Sequence, residues 1–324
     1  MTATSASRPA STPDQNWAAA WITGWNSFWF TPSDPLLLGV LRILTGCLLT
    51  WSSLVWLLDA EGFFGSTAWQ ATDNVWRMND QPWHWSWYFS AGAPGSITLL
   101  ATVSLIAATM LTLGFATPLA AVVSLVGYVS AVNRAPLNAF GFDDAVGLML
   151  LPLVIGPAGA RLSLDRLLWR WSGAAAPRVS ATVAIRLIQV HLCVVYFFSG
   201  AGKLFGASWW EGTALWGAVA NSQYRTLDLT FLAWHPLLTN ALTLGTLFWE
   251  FSYPALVWPR LTRRLVLAMA VLVHLGIGLA MGMMEFGLAM IVANMAFLPP
   301  GLGLTGSQPV SPVSSPSPSS EACS

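Results

Sequence analysis

The sequence has few charged residues for its length. Only 9% of its 324 residues are Asp, Glu, Lys or Arg, whereas a soluble globular domain carries about 25%. Hydrophobic residues make up 55% of the chain, which also contains 19 tryptophans. This composition excludes an ordinary soluble domain and predicts a polytopic membrane protein. The 14 basic and 14 acidic residues balance, so no excess of positive charge indicates a nucleic-acid partner.

Cysteine is also scarce. Cys47 and Cys193 lie in apolar runs and Cys323 lies in the C-terminal tail, so no CxxC spacing occurs. The sequence therefore predicts neither a disulfide framework nor a zinc site. No HxxxH or HxxE pair is present either, and we expect no metal centre. The first 30 residues lack a basic region followed by an apolar core, which argues against a cleavable signal peptide.

Lysine occurs once, at position 203. Lys203 follows a long apolar run that starts near Arg186, and Trp209 and Trp210 come shortly after it. This pattern predicts a lysine at the boundary between hydrocarbon and headgroups. Such a lysine can extend its ammonium to the headgroups. Alternatively, desolvation can make it a usable base. Position alone leaves both interpretations open.

Eight apolar runs are long enough, or nearly so, to form membrane-spanning helices. They cover residues 36–58, 97–115, 118–131, 144–155, 181–202, 236–257, 265–281 and 286–297. A more polar, aromatic stretch at 14–30 predicts a helix that lies along the membrane surface. The predicted fold class is therefore all-α, a polytopic membrane protein with about eight transmembrane helices and an N-terminal interfacial helix. Two long connections, 59–93 and 203–235, are rich in tryptophan and read as external loops.

The chain ends differ from this membrane region in composition. Residues 1–13 and 301–324 are rich in Pro, Ser and Thr, which predicts disorder around one transmembrane domain at 14–300. If both termini are cytoplasmic, the basic loops before the fifth and seventh predicted spans fall on the cytoplasmic side. We therefore expect a multi-pass protein of the cytoplasmic cell membrane with both termini inside.

Three ionisable residues fall in the middle of predicted spans, namely His191, Glu250 and His274. An ionisable side chain inside a span usually faces a partner or a cavity. The three are compatible with a proton relay, with a cofactor cradle, or with structural hydrogen bonds between helices. Together with Lys203 they form our candidate catalytic set. The candidate cofactor-binding residues are Tyr196, Trp209, Trp210 and Asn294.

The run at 185–215, IRLIQVHLCVVYFFSGAGKLFGASWWEGTAL, resembles the signature of the horizontally transferred transmembrane (HTTM) family. The membrane half of vitamin K-dependent γ-carboxylase is related to this family. The matching positions are Arg186, Tyr196-Phe197, Gly200, Lys203-Leu204, Trp210 and Glu211-Gly212. The similarity extends back to SLDRLL at 163–168 and forward to Glu250 and His274.

The resemblance implies a function. In the carboxylase, the lysine that matches Lys203 is the proposed base that deprotonates reduced vitamin K, and oxygenation of the quinol then drives carboxylation of peptide glutamates. It follows that this chain is a possible γ-glutamyl carboxylase-like lyase. It would bind a reduced quinone or similar lipid between its helices and act on a secreted peptide or protein beside the lipid bilayer.

Two departures from the carboxylase favour an alternative. The carboxylase has a histidine in the loop before its fourth span, whereas the corresponding stretch here, LNAFGFDD, has none. The carboxylase also carries a large lumenal domain after its membrane part, whereas only residues 301–324 follow the predicted membrane domain here. The alternative is a non-enzymatic membrane partner for maturation or export of a secreted peptide, which the two tryptophan-rich loops would contact. A transporter is disfavoured because the sequence shows no inverted repeat.

Overall fold

The computed structural model describes residues 13–66, 68–78, 84–168 and 176–299. Of the predicted disordered segments 1–13 and 301–324, residues 1–12 and 301–324 lie outside these ranges, whereas Pro13 begins the first helix. Within the described residues the chain is helical, with one antiparallel bridge between Ser33 and Arg178. The helices are α1 (Pro13–Phe30), α2 (Leu36–Leu58), α3 (Ala60–Phe64), α4 (Thr72–Met78), α5 (Ser96–Leu113), α6 (Thr117–Arg134), α7 (Gly141–Ile155), α8 (Leu164–Leu168), α9 (Val179–Lys203), α10 (Ala207–Trp210), α11 (Ala214–Val219), α12 (Pro236–Leu256), α13 (Arg260–Met281) and α14 (Met284–Asn294).

The all-helical prediction is confirmed, whereas the predicted number of about eight spans is not. In the described part of the chain, α2, α5, α9 and α13 are long and apolar enough to cross a membrane. The other four predicted spans also form helices, but α7 has 15 residues and α14 has 11. Helices α6 and α12 are as long as some candidate spans but are less apolar. A straight helix needs about 20 residues to cross the hydrocarbon core. Length and composition therefore establish four candidate spans.

The predicted interfacial helix forms as α1 and carries a row of tryptophans. Trp21, Trp25 and Trp29 recur every four residues, and the rings of Trp21 and Trp25 stack with centroids 5.5 Å apart. Residues four apart lie on one face of a helix, so these rings share a side of α1. Trp21 and Trp25 are exposed. Exposed tryptophan is typical of headgroup layers, and the interfacial position of α1 stays a prediction.

One hydrophobic core joins α2, α5, α6, α7, α9, α12, α13 and α14. Small residues set the closest helix contacts in it. A Cβ on Gly46 of α2 would lie 2.8 Å from the Thr112 Cα and 2.9 Å from its backbone nitrogen. Without a side chain at this point, α2 and α5 pack with their backbones close together. Such contacts between small residues are a common basis of helix association in membranes.

The SLDRLL segment stabilises the turn between α5 and α6. Asp165 accepts hydrogen bonds from the backbone nitrogens of Ala116 and Thr117 at 2.7 and 2.8 Å, and from the Thr117 hydroxyl at 2.7 Å. These amides belong to the first turn of α6 or directly precede it, where no intrahelical acceptor exists. Just before this segment, the carbonyls of Ala158 and Leu162 accept hydrogen bonds from the buried Arg42 of α2, which ties the chain to that helix. This segment therefore has a structural role.

A second buried arginine holds the long connection between α2 and α5. Arg134, at the end of α6, donates to the carbonyl oxygens of Phe64, Gly65 and Gln70 at 3.1, 2.7 and 2.9 Å. The ring of Phe64 stacks on that of Tyr88 with centroids 4.1 Å apart. The described part of this tryptophan-rich connection is therefore folded against the helix ends.

Candidate functional site

Helices α9 and α12 approach each other closely at Gly200. A Cβ at this position would lie 2.9 Å from the Phe251 backbone nitrogen and 3.0 Å from the Phe251 Cα. Since real Cβ atoms almost never approach so closely, only glycine permits this separation. The contact sets the register of the two helices. As a result Ser199 and Lys203, one turn apart on α9, both face Glu250 of α12.

Lys203 and Glu250 form an ion pair between the two helices. The Lys203 Nζ lies 2.5 Å from Glu250 Oε2 and 2.7 Å from the Ser199 Oγ. The Ser199 hydroxyl donates to the same Glu250 oxygen at 3.1 Å. The Lys203 and Glu250 side chains are 22% and 11% exposed. A carboxylate on the neighbouring helix therefore holds the ammonium, and the pair remains partly accessible.

The two tryptophans after Lys203 occupy different positions. The Trp209 ring centroid lies 5.2 Å from Lys203 Nζ, a distance suited to a cation–π interaction. Trp210 is 65% exposed, and its indole nitrogen donates to the Leu204 carbonyl at 2.7 Å. Of these two candidates, Trp209 is therefore the one in contact with the ion pair.

A second polar cluster lies deeper between four helices. The Tyr196 hydroxyl of α9 lies 2.7 Å from His274 Nε2 of α13 and accepts from Asn294 Nδ2 of α14 at 2.9 Å. The Tyr253 hydroxyl of α12 donates to Asn294 Oδ1 at 2.7 Å. All four residues are buried, and the rings of Tyr196 and Tyr253 stack with centroids 4.0 Å apart. The four residues form one hydrogen-bond network.

The Asn294 amide fixes the direction of two hydrogen bonds in this network. Asn294 Nδ2 also donates to the Met290 carbonyl at 2.8 Å, which fixes the orientation of the amide. The Tyr196 oxygen accepts from this amide, and in its contact with His274 Nε2 the imidazole donates or accepts according to its tautomer. The other ring nitrogen, His274 Nδ1, is buried and has no hydrogen-bond partner among the described residues, and an unpaired buried polar atom costs free energy.

The sequence matches the HTTM domain over residues 30–301, most of the chain. The chain belongs to the HTTM domain family. The family suggested by the run around Lys203 is thereby confirmed, and the protein is a membrane protein with several apolar helices. No curated protein and no solved structure matches the chain. Both polar clusters lie within the matched HTTM domain.

Two of the candidate residues lie apart from these clusters. His191 is exposed, and its Nδ1 lies 2.8 Å from the Leu187 carbonyl one turn earlier on α9. Trp210 also faces away, as described above. The other candidates separate into the ion pair with Trp209 and the network around Tyr196.

Sequence reasoning missed two residues of these clusters, Ser199 and Tyr253. Ser199 lies four residues before Lys203 on α9, and Tyr253 lies three residues after Glu250 on α12. Residues three or four apart share a helix face. Helical spacing from the two ionisable candidates was therefore the signal that could have found them.

The close approach at Gly200 leads to a prediction with a matched control. Gly200→Ala is expected to push α9 and α12 apart and to lower the free energy of unfolding by about 1–3 kcal/mol, the usual cost of overpacking. Gly202→Ala lies on the same helix, where a Cβ would meet nothing within 4 Å. Chemical unfolding in detergent measures both variants. Equal stability of the two would contradict the assigned role of Gly200.

Proposed function

We propose that this HTTM protein is a membrane enzyme in which Lys203 takes a proton from a lipid-soluble quinol, as in a γ-glutamyl carboxylase-like lyase. The ion pair is the observation that carries the proposal. The only lysine of the chain is held 2.5 Å from a carboxylate on another helix, beside an indole ring and partly accessible. Ionisable residues within membrane helices are costly and usually functional.

The Glu250 carboxylate gives Lys203 a route to the neutral form that a base requires. Passing the ammonium proton to Glu250 leaves a neutral amine beside a neutral acid. The Ser199 hydroxyl contacts both groups and can hold them in position during the transfer. The neutral Lys203 amine can then accept a proton from a ligand hydroxyl.

The residues present fit a reduced quinone. Such a ligand, when bound, supplies the acidic hydroxyl and the electrons for reaction with oxygen. Lys203 would accept the proton, and the Trp209 ring offers an aromatic face beside it. The His274 Nδ1 is buried and has no hydrogen-bond partner among the described residues, and a quinol hydroxyl, which can donate or accept, is a suitable partner for it. The Tyr196 and Asn294 side chains orient this imidazole.

The proposal includes the full topology. All eight predicted spans are helices, so eight crossings with both termini in the cytoplasm are compatible with the chain. The connection before α9 and the first turns of α13 together carry seven arginines, and this orientation places them on the cytoplasmic side of the cell membrane. Lys203 then lies at the external end of α9.

Photoaffinity labelling tests ligand binding. A photoreactive menaquinone analogue, reduced and irradiated with the full-length protein in detergent, is expected to label the 196–210 segment. Excess vitamin K hydroquinone should suppress the label, and Lys203→Ala should reduce it. Uniform labelling of all apolar helices, unchanged by the competitor, would contradict a quinol site.

A second function has one observation in its favour. Phe205 and Trp234, in the external loop between α9 and α12, are 92% and 80% exposed. Exposed aromatic residues are typical of interaction surfaces, so this loop can serve a non-enzymatic partner in the maturation or export of a secreted peptide. Cross-linking of a secreted peptide to this loop in cells, with full maturation in Lys203→Ala, would favour this function over the enzyme.

A further inference from the structure

A cavity at the opposite end of α9 from Lys203 contains two arginines. Its volume is about 180 Å³, well above the roughly 10–15 Å³ that a single water requires. The chain between α1 and α2, the first turns of α9 and α13, and the chain after α14 surround it. Arg186 and Arg263 both line the cavity.

Both guanidinium groups are held in place but keep a donor nitrogen available. Arg186 donates through Nε to the Phe28 carbonyl at 3.1 Å and through Nη1 to Gln189 Oε1 at 2.8 Å. Arg263 donates through Nε and Nη2 to the carbonyls of Val257 and Trp258. Among the described residues, neither Arg186 Nη2 nor Arg263 Nη1 has an acceptor. The Phe28 ring covers the Arg186 guanidinium at 4.2 Å.

The acidic residue at this cavity does not neutralise the two arginines. Asp34 lines the cavity, but its two oxygens accept from the Arg161 Nε and Nη2 at 3.2 and 2.6 Å. Asp34 Oδ1 also accepts from the Leu36 backbone nitrogen. The carboxylate is therefore already paired, and the cavity keeps two positive charges without a counter-charge from the described residues. Two half-buried like charges are unfavourable unless an anion binds.

We propose that this cavity binds a phosphate group between Arg186 and Arg263. Phosphate carries several acceptor oxygens and up to two negative charges, which match two guanidinium groups with free N–H donors. The fixed orientation of both side chains reduces the entropy lost on binding. Phosphate can come from an anionic phospholipid headgroup or from solution. The site is separate from Lys203 and does not depend on the proposed enzymatic function.

Thermal unfolding of the full-length protein in detergent tests the site, since a ligand of the native state raises the melting temperature. The probes are dioctanoyl phosphatidic acid, inorganic phosphate and the zwitterionic dioctanoyl phosphatidylcholine. We expect saturable stabilisation by a phosphate probe that weakens with salt. Stabilisation by phosphatidic acid alone supports a lipid headgroup, and equal apparent affinity for inorganic phosphate supports a soluble ligand. No saturable effect of either phosphate probe would overturn the proposal.

Variants locate the binding. Arg263→Gln is expected to weaken binding about tenfold or more, as for a lost charge-assisted contact. Arg264→Gln removes the same charge from the next residue, which is exposed, and should bind as the wild type does. Equal weakening in both variants would overturn the proposal.

A third variant covers the case in which Arg263→Gln does not fold, because Arg263 also contacts the end of α12. Leu298→Glu leaves both arginines in place and adds a carboxylate at the cavity wall, where Leu298 lies. This carboxylate should occupy the site, so stabilisation by added phosphate should be lost while the protein stays folded. Phosphate binding as strong as that of the wild type would contradict the assignment.

Discussion

Glu250→Ala is expected to lower the free energy of unfolding by about 3 kcal/mol. The substitution leaves the Lys203 ammonium without its counter-charge, and breaking a buried ion pair typically costs about 3–5 kcal/mol. We expect the lower end of this range because the Lys203 side chain remains 22% exposed. Chemical unfolding of the purified protein in detergent gives the value.

A double-mutant cycle separates the pairing from the rest of the effect. Lys203→Met with Glu250→Leu removes both charges, so the double variant should be more stable than the sum of the single effects predicts. The ion pair between Arg161 and Asp34 offers a matched comparison, with an N–O distance of 2.6 Å but side-chain exposures of 21% and 39%. Its coupling should stay within the roughly 1 kcal/mol usual for exposed pairs. A Lys203–Glu250 coupling no larger than this would contradict a specific pair.

Sequence alone identified the ionisable members of the site but not their pairing. Lys203 and Glu250 stand out because charges are rare in apolar runs, yet 47 residues separate them. Their contact depends on the register of α9 against α12, which is fixed by the approach at Gly200. A helical pattern does not reveal which residue of a distant helix lies opposite. Serine and tyrosine are unremarkable in apolar helices, which is why Ser199 and Tyr253 gave no signal of their own.

The face of each candidate side chain was harder to predict than its helix. His191 lies five residues before Tyr196 on α9, about 140° around a helix that turns 100° per residue. It therefore faces away from the network that Tyr196 joins, although both lie on one predicted span. Trp209 and Trp210 are consecutive, so they point in different directions and only one contacts Lys203. Apolar runs without a clear polar stripe do not show which face is buried.

Helix positions followed from the apolar runs, but the number of membrane crossings did not. The predicted fourth and eighth spans correspond to α7 and α14, which both belong to the central core. Their apolar character is explained equally by packing against other helices and by contact with lipid. Hydrophobicity therefore identified these helices without distinguishing a buried helix from a full span.

Lys203→Ala is expected to abolish the proposed chemistry. Proton transfer by a positioned side chain contributes about 100- to 10,000-fold to a rate, so this variant should turn over at least about 100-fold more slowly than the wild type. Arg225→Ala is the matched control, since Arg225 is an exposed cation in the loop that follows α9. This control should turn over as the wild type does.

Oxygen-dependent conversion of vitamin K hydroquinone to its epoxide by the purified protein in liposomes measures this directly. The account predicts turnover by the wild type and by Arg225→Ala, and its loss in a Lys203→Ala protein that remains folded. Wild-type rates in folded Lys203→Ala, or no turnover by the wild-type protein itself, would contradict the proposed role of the Lys203–Glu250 pair.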